Sequence, residues 1–214
     1  MNYKKALLLT GMALMFTACG GGGGTSDVPP EPLIEYDLRT FIDKSSLTLN
    51  LEGIVDGTTV QGTYYVTYEG TFDYMGTTLD LHQQVAVIDG TTDTSYMGTY
   101  LGNLYAMLLN DGTECYIAEG VTPTPIPTNA TIGYVSDVVP LECTEGSRVE
   151  ISVKLLAGEG DSAIAATTAK WYNAYGSLLL TSESYTTFDP NMNILAYEIK
   201  TGNIIFQATS ITQN

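Results

Sequence analysis

Apolar and polar residues alternate with a period of two along most of the chain. Leu47, Leu49 and Leu51 are separated by polar residues. So are Val60, Tyr64, Val66 and Tyr68, with Gly62 in series. Leu79, Leu81, Val85 and Val87 repeat the pattern with Gln83 on their face, and Val149, Ile151, Val153 and Leu155 repeat it again. Successive side chains of a strand point to opposite faces, so this period predicts strands with one apolar face turned to a core. By the same rule Tyr64, Val66 and Tyr68 point one way and Tyr65 the other, and Tyr96 and Tyr100 share a face. Turn residues separate the runs: Asp56-Gly57, Asp89-Gly90, Asp111-Gly112, Glu145-Gly146, Asp189-Pro190-Asn191 and Thr201-Gly202-Asn203. Asp111-Gly112 and Thr201-Gly202 lie between apolar stretches and read as tight hairpins. No helical period is sustained. Residues 33–44, with Leu33, Ile34, Leu38, Phe41 and Ile42, fit a short helix or an extended segment.

The expected fold is all-β and antiparallel, with two tandem β meanders packed as a sandwich or an open, barrel-like sheet. The first unit covers 45–120 and the second 129–211. Between them, 121–128 carries prolines at alternate positions, which cannot donate ladder bonds, and reads as an extended connector. The two units also share short similarities that suggest an internal duplication. Asn103-Leu104-Tyr105-Ala106 before Asp111-Gly112 resembles Asn193-Ile194-Leu195-Ala196 before Thr201-Gly202. Tyr74-Met75-Gly76 resembles Ala174-Tyr175-Gly176, and Asp56-Gly57 resembles Glu145-Gly146. On that reading the hairpins at Asp111-Gly112 and Thr201-Gly202 superpose, and Ile205 holds the place of Cys115.

The N-terminus changes the picture from fold to address. Lys4 and Lys5 precede an apolar run, Ala6 to Phe16, too short for the roughly 20 residues that cross a bilayer core. Residues 1–18 therefore read as a secretory signal. Phe16-Thr17-Ala18-Cys19 resembles the lipobox of bacterial lipoproteins, with Phe where that family carries Leu or Val. The resemblance implies cleavage before Cys19, acylation of that cysteine, and firm membrane anchoring by several acyl chains. Gly20 to Gly24 follow at once and open a flexible tether within residues 19–44. With Gly20 rather than Asp after the cysteine, the outer membrane of a Gram-negative envelope is the expected location.

A second resemblance lies downstream. Ile126-Pro127-Thr128-Asn129-Ala130-Thr131-Ile132-Gly133, then Trp171, then a hairpin at Gly176, resembles a group of uncharacterised proteobacterial outer-envelope lipoproteins. Their C-terminal β unit opens with a Pro-x-x-Ala-x-x-Gly segment. The resemblance covers about residues 121–211 and the tether. It implies no activity and no site residues.

Charge narrows the partners. Without Lys4 and Lys5 the chain carries 24 acidic and six basic residues, a net charge near −18. Such a polyanion repels nucleic acid and anionic headgroups. Of three cysteines, acylation takes Cys19, which leaves Cys115 and Cys143 to form a disulfide in an oxidising compartment.

Catalytic chemistry is thinly supplied. Gly160-Asp161-Ser162 superficially resembles a lipase serine block, but no histidine follows it to act as a base. The single histidine, His82, falls on a strand-like run and is expected half-exposed. With 24 acids, a carboxylate pair at glycosidase spacing arises by chance and carries no information. Asp89 and Asp93 flank Thr91 and Thr92, and Asn110, Asp111 and Glu114 cluster nearby. These are weak calcium candidates without a spaced Asp-x-Asp-x-Asp-Gly loop. They read as solvated hairpin tips, so no metal, cofactor or catalytic residue is assigned. Fifteen tyrosines suit strand packing, or a face that stacks on sugars or binds protein.

The expected function is that of a lipid-anchored envelope lipoprotein, a non-enzymatic binding or structural module with an unknown protein or glycan partner. The alternative is a carrier or chaperone for an apolar or lipid-like ligand in a curved sheet. An envelope hydrolase comes third. The inward face discriminates: a carrier needs an apolar cavity on the order of several hundred Å3.

Overall fold

The computed structural model describes residues 33–39 and 46–213. The signal segment, Cys19 and the glycine run lie outside the described residues. Twelve antiparallel strands follow one another around a single closed barrel. They are β1 (Leu47–Val55), β2 (Thr58–Tyr74), β3 (Thr77–Ile88), β4 (Thr91–Tyr100), β5 (Asn103–Leu108) and β6 (Glu114–Ile117), then β7 (Val139–Cys143), β8 (Arg148–Ala157), β9 (Ala163–Tyr172), β10 (Leu178–Phe188), β11 (Ile194–Thr201) and β12 (Ile204–Gln213). Each strand pairs with its neighbour in sequence, and β12 closes on β1 through eight residue pairs. The all-β expectation holds. The two expected units are one sheet, because β6 pairs with β7.

The inward faces make one core. Leu47, Leu49 and Leu51, Tyr64 and Val66, and Val149, Ile151, Val153 and Leu155 all point inward, as the alternation requires. A twelve-strand barrel is wider than the eight-strand barrels that side chains just fill. Here Tyr64, Met97, Trp171, Phe188, Tyr197 and Phe206 fill the added width. Close approach matters at Gly53, whose added Cβ would meet the Ile205 carbonyl at 2.5 Å and the Phe206 ring at 2.6 Å. The outward faces carry Glu52, Glu150, Lys154, Lys170, Glu183, Glu198 and Lys200 along the strands. Exposed apolar residues, among them Ile54, Leu156, Leu178 and Ile205, stand between these charges.

Two segments outside the ladder cover one barrel end. Ile126 of the connector is fully buried, and its amide donates to the Leu101 carbonyl. Tyr36 and Ala130 form a two-way backbone bridge, and the Tyr36 hydroxyl donates to the Asp161 carbonyl at 2.8 Å. Arg39 donates to the Ile126 carbonyl at 2.6 Å. Residues 33–39, which the sequence places within the tether, are thus docked from Tyr36 onward. The Pro-x-x-Ala-x-x-Gly segment serves the same cover: Ala130 is buried, and the Gly133 amide donates to Leu155.

The two halves are six-strand meanders of the same order, β1 to β6 and β7 to β12, with Asp56-Gly57 and Glu145-Gly146 both at the first turn and Asp111-Gly112 and Thr201-Gly202 both at the fifth, but the turns themselves differ in detail. Asp56-Gly57 and Asp89-Gly90 are two-residue turns with positive φ at both positions, a backbone twist that matches the flanking strands. Glu145-Gly146 instead sits in a wider loop closed between Cys143 and Ser147. The Asp111-Gly112 loop spans Leu109 to Thr113, whereas Thr201 pairs directly with Ile204. Tyr74-Met75-Gly76 joins β2 to β3, but Ala174-Tyr175-Gly176 joins β9 to β10. Cys115 faces inward and is fully buried, while Ile205 is 43% exposed. The two halves thus share strand order and two turn positions but not turn geometry.

Cys115 and Cys143 are directly opposed across β6 and β7 and form the expected disulfide. That seam has only three residue pairs, against nine between β1 and β2. The bridge therefore clips one of the two shortest ladders, at the mouth of the longest connection. Alkylation without reductant should label neither cysteine, as read by mass spectrometry. Cys115→Ala with Cys143→Ala should lower unfolding free energy by about 3–4 kcal/mol in urea. A labelled thiol in fresh protein, or an unchanged urea midpoint, would contradict the seam's role.

Candidate functional site

A single extra residue in β2 creates the candidate site. Tyr68 pairs with His82, but the next pair is Gly70 with Leu81, so Glu69 is bulged out. Before the bulge, Tyr64 and Val66 face inward. A one-residue slip moves all later side chains to the opposite face. Phe72 and Tyr74 consequently share the outer face with Leu79 and Leu81. The β2–β3 arm beyond the bulge then lies back over the outer wall of β4 to β6. Tyr74 stacks on Tyr116 of β6 with ring centroids 4.7 Å apart and planes 1° from parallel. The Phe72 ring and Leu79 lie over Gly98, where an added Cβ would meet them at 2.8 and 2.9 Å. Leu79 is fully buried by this fold-back.

Between arm and wall is a cleft of about 400 Å3. Phe72, Tyr74 and Leu81 line it on one side, and Tyr96, Ala106, Leu108, Glu114 and Tyr116 on the other. That volume lies within the range of small-ligand sites. Glu114 is its one charged lining residue. The Tyr116 hydroxyl donates to the Glu114 carboxylate at 2.7 Å, and this bond is the main cause that pushes the Tyr116 hydroxyl up to about 12. Burial raises the Tyr74 hydroxyl as well. The Tyr96 hydroxyl accepts from Gln83 at 2.8 Å, which fixes its ring at the rim. The surroundings are acidic without relief: residues 45–147 contain thirteen Asp or Glu and no Lys or Arg.

The inner wall of the same strands is polar. β3 turns in the face opposite to the one its Leu and Val pattern marks. His82, Gln84, Ala86 and Ile88 are buried, while Val85 and Val87 are only half-buried. His82, expected half-exposed, is fully buried. Neither of its ring nitrogens has a hydrogen-bond partner in the protein, and the same holds for the Gln84 amide, the Ser95 and Thr99 hydroxyls and the Tyr64 hydroxyl. Buried groups of this kind are commonly satisfied by internal water. Burial lowers the His82 imidazole below its ordinary value, opposed by the Asp80 charge. Burial, and then the nearby Tyr197, raises the Tyr64 hydroxyl.

The other candidates from the sequence scatter. Asp89 occupies a turn. Asp93 accepts from the Asn110 amide at 2.6 Å, and Asp111 accepts from the Thr113 amide within its own loop. No group of three His, Cys, Asp or Glu side chains converges among the described residues. The Ser162 hydroxyl donates to the Glu159 carbonyl inside a tight loop, a turn role. Tyr96, Glu114 and Tyr116 converge in the cleft. Phe72, Tyr74 and Leu81 carried no functional signal in the sequence, although Glu69-Gly70 inside an alternating run is the pattern of a bulge. The chain matches no protein-family model, no curated protein and no solved structure.

The buried imidazole sets a pH dependence with a definite sign. Its folded pKa lies below the unfolded value of 6.5, so between the two the unfolded chain binds the extra proton. Stability should therefore fall as pH drops below about 6.5. Urea midpoints across that range should decline more steeply for the unsubstituted protein than for His82→Met. Parallel curves for the two would show that the imidazole takes up its proton equally in both states.

Proposed function

We propose that the chain is a lipid-anchored lipoprotein of the bacterial envelope, and that its barrel is a non-enzymatic binding module. The outer cleft is its binding element, and an apolar small molecule is its ligand. The observation that carries this reading is the aromatic cleft of about 400 Å3 held open between the β2–β3 arm and the wall of β4 to β6. A cavity left among tyrosine, phenylalanine and leucine side chains gains apolar contact when filled, and its stacked tyrosines are held rigid beforehand. The carrier alternative placed its ligand on the inward face. That face carries His82, Gln84, Ser95 and Thr99 on β3 and β4, a polar lining that suits an apolar ligand less well than the outer cleft does.

The anchor is supported by Ala18-Cys19-Gly20 and the glycines that follow. Outer-membrane location follows from Gly20, and the charged outer surface suits a barrel held in water beside the membrane on its tether. The resemblance to proteobacterial envelope lipoproteins points the same way.

One pair of measurements tests the reading. Cys19→Ser should leave membranes in a carbonate wash, while the unsubstituted protein stays. The released protein should bind the neutral dye Nile red at one site with a rise in fluorescence. Ala106→Phe, which fills the cleft from β5, should reduce that binding about tenfold or more. Equal dye binding by both forms would place the apolar site elsewhere, and persistence of Cys19→Ser in washed membranes would remove the anchor.

A further inference from the structure

We infer that the ligand of the outer cleft is a small amphiphilic cation, a quaternary or alkylated ammonium on an apolar body. This rests on the reading of the cleft as a ligand site and names its ligand class. Four aromatic rings line the cleft: Phe72, Tyr74, Tyr96 and Tyr116. Ring faces are electron-rich and attract cations, most strongly where water is excluded. The one charged group in the lining is the Glu114 carboxylate, and no basic side chain joins it. An anionic ligand would meet Glu114 uncompensated. A neutral ligand would gain the apolar contact alone.

The long-range field has the same sign. The thirteen acids and absent bases of residues 45–147 give the strands around the cleft an excess of negative charge, and Arg148, two strands from Tyr116 on the same face, is paired with Glu150. Like-signed charge around a cleft raises the local concentration of the opposite ion. The head group is alkylated because a bare ammonium is strongly hydrated and costly to bring against rings. An alkylated one surrenders little water and presents methyl groups to Tyr and Phe. The ligand is a small molecule because about 400 Å3 is the room available.

The test compares two probes with the same tail. Dodecyltrimethylammonium and dodecyldimethylamine oxide are titrated into the full mature chain carrying Cys19→Ser, below their micelle concentrations, by calorimetry at neutral pH. The cation should bind at one site about tenfold more tightly than the uncharged oxide. Glu114→Gln should bring the ratio to within about twofold. Tyr96→Leu, which removes a ring and keeps every carboxylate, should also narrow it. Equal affinities in the starting protein would overturn the inference. So would a preference left undiminished by both Glu114→Gln and Tyr96→Leu, since it would come from general attraction to the acidic wall. If Nile red binds but the two probes bind alike, this inference alone fails. If no apolar probe binds at all, the cleft reading fails with it.

Discussion

A sheet that closes on itself has no free choice of face. Once β12 meets β1, every residue of every strand is committed to the interior or to the outer wall, and a shift of one residue anywhere reverses the commitment for the rest of that strand. The core depends on this rule being kept, with Leu49, Tyr64, Ile151, Ile199 and Phe206 all delivered to one interior. Register shifts break it in five ladders, and the cleft depends on the one in β2. The bulge at Glu69 takes Phe72 and Tyr74 out of the interior series and sets them against the wall outside. Core and cleft are two results of the same constraint.

The barrel is uneven around its circumference. β5, β6, β7 and β8 meet through three or four pairs and β11 meets β12 through four, whereas every other ladder has five or more. The disulfide crosses the β5 to β8 sector, and the cleft lies on its outer surface at Ala106, Glu114 and Tyr116. The arm with Phe72 and Leu79 thus also covers strands that have little backbone pairing of their own.

Much of the fold was legible because most strands keep a strict period of two. Leu47 to Leu51, Val60 to Val66 and Val149 to Leu155 all face inward as their pattern says. β3 was not legible. Its Val85 and Val87 face out, and His82 and Gln84 face in, because its partners Val66 and Ser95 fix the register more firmly than its own pattern does. Closure into one barrel was hidden too, since short strands and turn pairs describe a sandwich equally well. Of the cleft, the sequence flagged Tyr96 through its parity and Glu114 for the wrong chemistry. The remainder was invisible because Tyr74 and Tyr116 lie four strands apart in the sheet, and only the bulge brings them together.

The central claim is that one bulged residue sets the aromatic arm outside the barrel. A proton nuclear Overhauser spectrum of the mature protein, with tyrosine and methionine side chains labelled, tests it most directly. The account predicts cross-peaks between the Tyr74 and Tyr116 rings and between Phe72 and Leu79, all perturbed by an apolar guest that leaves Tyr64 and Tyr197 unmoved. Cross-peaks from Phe72 or Tyr74 to the inward rings of Tyr64 or Tyr197, with none between Tyr74 and Tyr116, would place the arm inside and contradict the account.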